Sequence, residues 1–149
     1  MKYSYPSFPP YSERNFSISD SYIGRIDIEN DCVRFCFPNG FFCVDHGKIR
    51  KTNSSYIEID DCDADEFNCY YFNREKSENG AILYGQPISL SELGLMLIKT
   101  GSKLEVYLEL YDFDFLHWRC ILVPYQPDGL SSRIDIEISG HYPFAYYWE

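Results

Sequence analysis

The chain has 149 residues, and 13 Lys or Arg against 23 Asp or Glu give it a formal net charge of −10 at pH 7. Nucleic acids and anionic membranes bind cationic surfaces, so this charge argues against both as partners. Hydrophobic residues make up 45% of the chain and aromatic residues 18%, which argues against disorder. The length suits one hydrophobic core, and we predict a single domain over residues 1–149.

The first twenty residues are rich in Ser, Pro and Tyr. Their aromatic content predicts an extended N-terminal arm, residues 1–20, that packs on the domain. Pro6, Pro9 and Pro10 interrupt any apolar run of the kind that a signal peptide needs. No other segment approaches the ~20 apolar residues of a membrane-spanning helix. We therefore expect a soluble, cytoplasmic protein.

Between residues 22 and 84, apolar and polar side chains alternate in short runs with a period of two, which is typical of half-buried strands. The Pro-Asn-Gly turn signal at 38–40 lies between two such runs. It predicts a β-hairpin over residues 32–45.

The period then changes to that of a helix. Ser89 and Glu92 have the spacing of a capping box, and Gly101 stands where a C-terminal glycine belongs. These signals predict one helix over residues 90–100. Gly94 inside it weakens the helix by about 1 kcal/mol relative to Ala.

Clear alternation returns at 104–111, 115–123 and 133–139. The pentapeptide Arg-Ile-Asp-Ile-Glu occurs at 25–29 and again at 133–137. We interpret both copies as amphipathic strands, with internal duplication and mutual pairing as alternatives. The strands do not alternate with helices, which argues against a doubly wound fold. We predict a mainly β, antiparallel sandwich or barrel of about eight to ten strands with one short helix near 90–100.

Six cysteines lie within the predicted strand patterns rather than in loops. They are Cys32, Cys36, Cys43, Cys62, Cys69 and Cys120. We expect reduced, mostly buried thiols and no disulfide. Four residues along a strand span roughly 13 Å, too far for Cys32 and Cys36 to chelate one zinc ion. The sequence thus predicts no metal and no cofactor.

Six of the nine residues from 58 to 66 are carboxylates. Three have the spacing that opens an EF-hand loop, namely Asp61, Asp63 and Asp65. An EF-hand then needs Gly and Glu at positions where this chain has Glu66 and Phe72, so that motif is excluded. We interpret the segment as an acidic loop that faces solvent or a partner, with a looser oxygen-ligand cation site as an alternative.

Alternation also places tyrosines and carboxylates on the polar side of the strand at 104–111. Tyrosine contributes contact area at low entropic cost, and carboxylates steer a cationic partner. The predicted partner-binding residues are Glu58, Asp60, Asp61, Asp63, Asp65, Glu105, Tyr107, Glu109 and Tyr111. We expect the four residues of the strand to share one face.

No nucleophile motif marks a catalytic residue, so we predict none and favour a non-enzymatic function. Asp45 and His46 are adjacent at a strand end, where side chains would point to opposite faces. A hydrolase that uses Asp45, His46 or a cysteine is the third hypothesis.

The leading hypothesis is a small acidic protein that binds a cationic protein, similar in kind to immunity or antitoxin proteins that inhibit a basic toxin. The alternative is a barrel or sandwich that binds a small ligand or sugar in an aromatic pocket. The candidate pocket residues are Tyr142, Phe144, Tyr146, Tyr147 and Trp148.

Overall fold

The computed structural model describes residues 2–5, 15–77, 80–112, 115–123, 134–141 and 144–148. These residues form fourteen strands, a short 3-10 turn and one α-helix. The strands are β1 (Lys2–Tyr5), β2 (Phe16–Ser17), β3 (Ser21–Ile23), β4 (Arg25–Glu29), β5 (Cys32–Phe37), β6 (Phe42–Asp45), β7 (Lys48–Lys51), β8 (Ser55–Asp60), β9 (Asn68–Ser77), β10 (Gly80–Ile88), β11 (Lys103–Asp112), β12 (Phe115–Val123), β13 (Ile134–His141) and β14 (Phe144–Trp148). The 3-10 turn is Ala64–Glu66 and α1 is Leu90–Thr100.

The strands form three antiparallel sheets. Their orders are β1-β14-β8-β5-β4, β10-β9-β13-β12-β11-β3 and β2-β6-β7. The mainly β prediction with one short helix is confirmed, although the described strands exceed the eight to ten expected. Each sheet is open at both edges, so no closed barrel forms among them. The additional strands are mostly short ones, such as β2 and β3, that period-two counting overlooks.

One hydrophobic cluster joins the two larger sheets. Phe35 of β5 meets Trp118 of β12 edge to face, with ring centroids 4.8 Å apart. Phe67 also meets Phe35 edge to face, with ring centroids 5.8 Å apart. Phe35 and Trp118 have no exposed surface. These contacts show that the five- and six-stranded sheets pack face to face, as the strand alternation requires.

The helix α1 forms as the sequence predicts. The Ser89 hydroxyl accepts a hydrogen bond from the Glu92 backbone N–H at 3.1 Å, and the Glu92 side chain accepts one from the Ser89 N–H at 3.2 Å. Gly101 ends the helix with φ of 66°. A Cβ on Gly94 would lie 3.3 Å from the Ile26 carbonyl oxygen. Gly94 therefore weakens the isolated helix but lets it pack closely on β4.

The predicted hairpin over residues 32–45 is wrong, because its two strands belong to different sheets. β5 pairs with β4 and β8, whereas β6 pairs with β2 and β7. The turn between them is a corner, in which the Gly40 N–H donates to the Phe37 carbonyl at 3.0 Å. Gly40 has φ of 70°, and a Cβ there would lie 2.1 Å from the Thr52 carbonyl oxygen. Only glycine fits this corner.

The two Arg-Ile-Asp-Ile-Glu segments do not pair with each other. The first is β4, at the edge of the five-stranded sheet, and the second contributes to β13 within the six-stranded sheet. In the N-terminal arm, β1 pairs with β14, and Phe16 and Ile18 are buried. No helix in the described part of the chain is long and apolar enough to cross a membrane.

Candidate functional site

Two neighbouring loops concentrate negative charge at one end of the five-stranded sheet. They are the turn between β4 and β5 and the segment that links β8 to β9. We call this surface the acidic end. Its seven exposed carboxylates belong to Glu29, Asp31, Asp60, Asp61, Asp63, Asp65 and Glu66. Four of the predicted partner-binding residues, Asp60, Asp61, Asp63 and Asp65, therefore lie together on the surface.

Backbone contacts fix the two loops against each other. The Cys62 N–H donates to the Asp31 carbonyl oxygen at 2.9 Å. Asn30 and Asp61 adopt left-handed backbone conformations, with φ of 50° and 54°. Asn and Asp tolerate this region better than other non-glycine residues, so the local sequence suits both turns. The carboxylates of the acidic end thus project from an ordered backbone.

Two carboxylates of the acidic run accept hydrogen bonds from the backbone of the same segment. The Asp63 carboxylate accepts from the Asp65 N–H at 3.0 Å, and the Glu66 carboxylate accepts from the Asp63 N–H at 3.3 Å. These bonds cap the 3-10 turn and recreate the capping box seen at α1. The aspartate spacing that resembles the opening of a calcium loop is explained by this turn.

Glu58 differs from the other predicted partner-binding carboxylates because it is 9% exposed. Its carboxylate accepts from Arg34 Nε at 3.0 Å. The Arg34 guanidinium also lies 4.5 Å from the centre of the Tyr56 ring. This ion pair on neighbouring strands occupies Glu58, so the prediction that it presents an accessible negative charge is wrong.

A β-bulge divides the predicted face of β11. Val106 lies opposite Cys120 and Leu108 opposite Arg119, so Tyr107 is an additional residue between two consecutive register pairs. Beyond the bulge, the alternation is reversed. The prediction that Glu105, Tyr107, Glu109 and Tyr111 share one face is therefore wrong.

Beyond the bulge, Glu109 and Tyr111 turn towards the core. Glu109 lies opposite the buried Trp118, and its carboxylate accepts from the Ile18 backbone N–H at 2.6 Å. The Tyr111 hydroxyl accepts from Trp118 Nε1 at 3.1 Å, and its ring packs on Phe16. Glu109 and Tyr111 therefore hold the segment before β3 and the indole in place.

Two grooves open on the surface among the described residues. One, of about 320 Å³, is lined by β2, β6, β7 and β11, with Tyr107 and Glu109 among its residues. The other, of about 270 Å³, is lined by Asp65, Phe67, Tyr70 and residues around Pro87. The second groove borders the acidic end and the start of α1. Tyr70 was missed by sequence reasoning, because one aromatic in an aromatic strand carries no separate signal.

The two predicted groups of partner-binding residues are not brought together. Asp65 borders the groove beside β9 and β10, whereas Glu109 borders the groove beside β2 and β6. The acidic loop and β11 are thus separate surfaces rather than one continuous tyrosine and carboxylate face.

One group of potential metal ligands occurs in the described part of the chain. Ligand atoms of Cys32, Glu58 and Asp60 lie within 4.8 Å of one another. Burial, followed by a hydrogen bond with Asp60, raises the pKa of the Cys32 thiol to about 11. Glu58 is engaged by Arg34. The group is a network of ion pairs and hydrogen bonds that already has its partners.

The cysteines are free thiols, and four of the six are buried, as expected. Burial raises the pKa of the Cys62 and Cys69 thiols to about 12, and it also raises that of Cys120. For Cys36, burial again raises the pKa. Because the thiolate is the nucleophile, these shifts oppose nucleophilic chemistry at neutral pH.

Asp45 and His46 lie closer than alternation predicts, because β6 ends between them. His46 and Gly47 have φ of 49° and 75° and form the two-residue turn to β7. His46 Nε2 is 3.7 Å from Asp45 Oδ1, beyond hydrogen-bonding distance, and its side chain is 96% exposed. Asp45 is also paired with Arg50 at 3.2 Å. The pair forms a turn rather than a buried acid–base site.

The aromatic pocket of the alternative hypothesis falls largely outside what the structure describes. Tyr142 lies outside the described residues, and Phe144, Tyr146, Tyr147 and Trp148 are described only through the pairing of β14 with β1 and β8. Comparisons of the chain with protein-family models, curated proteins and solved structures found no match.

Proposed function

We propose that this protein acts in the cytoplasm by binding a cationic protein through its acidic end, in the manner of an immunity or antitoxin protein that covers a basic partner. The observation that carries the proposal is the convergence of seven exposed carboxylates from two hydrogen-bonded loops and the strand ends that lead into them. No Lys or Arg occurs in either loop. Such a surface attracts cations and disfavours acidic partners.

The ordered backbone of the acidic end supports this role. The bond from Cys62 to Asp31 and the cap at Asp63 hold the loops in one arrangement before binding. A partner then needs to order less of the surface, which lowers the entropic cost of association. The 3-10 turn presents Asp65 and Glu66 next to each other at its start.

Apolar area beside the charges also supports the proposal. Tyr70 is 44% exposed and lines the groove that Asp65 borders. Pro87 and Ile88 line the same groove. A buried aromatic anchor beside a charged rim is a common arrangement in protein interfaces. A basic side chain of the partner would lay its aliphatic stem on Tyr70 and direct its charge to Asp65.

Site-specific photo-cross-linking in the native host tests the proposal. A photoreactive residue replaces Asp65 in one variant and Glu105 in a control variant. We expect one dominant cationic protein to be cross-linked from position 65 only, and Glu29→Lys with Asp31→Lys should abolish the product. No product, equal products from both positions, or a product that survives the reversal in a folded variant would each contradict the proposal.

A further inference from the structure

A second surface has the opposite charge and lies on the three-stranded sheet. The strand β7 reads Lys-Ile-Arg-Lys, and all four residues are exposed. It pairs with β6 on one side, and no strand that the structure describes pairs with its other side. An edge strand presents backbone N–H and C=O groups that an added strand can bond.

The side chains of β7 are arranged in two rows. Lys48 and Arg50 lie on one face, since Lys48 is opposite Asp45 and Arg50 is opposite Cys43. Ile49 and Lys51 lie on the other face. Ile49 is 78% exposed and is placed opposite Val44, which is itself 38% exposed. The edge thus combines backbone groups that no described strand pairs, three cations and an exposed apolar side chain.

The groove of about 320 Å³ continues this apolar surface. It is lined by Ile49 and Val44 and by Tyr107, the bulged residue of β11. The bulge displaces the regular alternation of β11 here, so Tyr107 is 39% exposed at the groove. An extended segment along β7 would place alternate side chains towards Ile49 and towards Lys48 and Arg50.

The positive charge of β7 indicates which kind of segment can bind along this edge. A second copy of β7 would bring cations opposite cations, which destabilises strand pairing. A segment with carboxylates at alternate positions would face Lys48 and Arg50 with opposite charge. Asp45 pairs with Arg50 at 3.2 Å, so one carboxylate lies beside the three cations of β7 and leaves a positive balance there. At physiological ionic strength the screening length is about 8 Å, which weakens the influence of the chain's more distant negative charges.

We propose that β7 is a docking edge for an extended acidic segment of another protein, which adds as a fourth strand to the β2-β6-β7 sheet. Backbone hydrogen bonds supply affinity, and alternation of acidic and apolar side chains supplies specificity. This surface is separate from the acidic end, so the proposed docking edge and the proposed acidic binding surface can be tested independently.

Amide NMR spectra of the full chain, titrated with three synthetic peptides, test this inference. The first peptide alternates Glu and Val over seven residues. The second has the same sequence with N-methyl groups on alternate amides, which removes the donors along one edge. The third has Lys in place of every Glu. We expect the first peptide to shift the amides of β7 and β6 and to bind on the order of tenfold or more tightly than the other two.

A charge-reversal variant and its control test whether the cations of β7 are needed for peptide binding. Lys48→Glu with Arg50→Glu should abolish binding of the first peptide, whereas Lys99→Glu, which changes an exposed cation on α1, should leave it unchanged. Equal binding of the methylated or the lysine peptide would overturn the proposal, as would shifts centred away from β7. A dimer of the free chain that is dissociated by the Lys48 and Arg50 reversals would assign the edge to a second copy and would also overturn it. The three-peptide comparison uses the native chain and does not depend on the folding of any variant.

Discussion

The acidic loop at 60–66 and the strand β11 have similar sequence signatures but different outcomes in the fold. In the loop, carboxylates recur at every second position, and in β11 Glu and Tyr alternate at every second position; the sequence predicts that both segments face a partner. The loop keeps its carboxylates on the surface. In β11, a single additional residue at Tyr107 turns Glu109 towards the core side of the sheet.

A period-two pattern predicts side-chain exposure better in a loop than along a long strand. The exposure of a loop follows from its own composition, because carboxylates without partners are costly to bury. The facing of a long strand depends on uninterrupted pairing with its neighbours. One bulge reverses every side chain beyond it.

The largest expected effect is at Glu109. Glu109→Lys removes the acceptor for the Ile18 N–H and places a cation on the core side, so we expect a loss of about 2 kcal/mol or more in the free energy of unfolding. Glu105→Lys, on the other side of the bulge, should change it by less than about 0.5 kcal/mol. Urea unfolding of both variants measures the difference. Equal effects would mean that the bulge does not reverse the strand in solution.

A smaller effect separates charge from capping within the acidic end. Asp63→Ala removes the acceptor for the Asp65 N–H and should cost about 1 kcal/mol. Asp63→Asn removes the same charge but keeps a capping side chain, so its stability should stay close to that of the native chain. Thermal unfolding compares the two. If both variants lose the same stability, the charge rather than the cap stabilises this loop.

The smallest effect concerns the thiol beside the acidic end. Burial and the hydrogen bond with Asp60 raise the pKa of Cys32 to about 11, so little thiolate exists at pH 8, and alkylation should accelerate as the pH rises towards 11. Asp60→Asn should speed alkylation of Cys32 several-fold at pH 8 by lowering this pKa. Asp65→Asn is the matched control and should leave the rate unchanged. Peptide mapping after timed alkylation reports both rates; identical rates in the two variants would exclude Asp60 as a cause.

The helix and the general class of fold were predictable because their signals are local. Ser89, Glu92 and Gly101 lie within thirteen residues and specify both ends of α1. The alternation of Ile57 and Ile59 likewise predicts that both are buried. Each of these features depends on side chains that are close in sequence.

The features that sequence reasoning missed depend on contacts between distant residues. Gly40 signals a turn equally well in a hairpin and at a corner between two sheets, and only the Thr52 carbonyl distinguishes them. The burial of Glu58 requires Arg34, 24 residues away. The role of Gly94 appears only when Ile26 is placed beside it.

The most direct test of the central claim is the rate at which the cross-linked partner associates with two matched variants. Asp31→Lys and Glu105→Lys change the net charge equally, but only the first alters the acidic end. Stopped-flow measurements at low and high salt should show a several-fold slower association for Asp31→Lys at low salt, and the difference should vanish near 1 M, where the screening length is about 3 Å. Equal rates for the two variants at low salt would contradict the assignment of the acidic end as the binding surface.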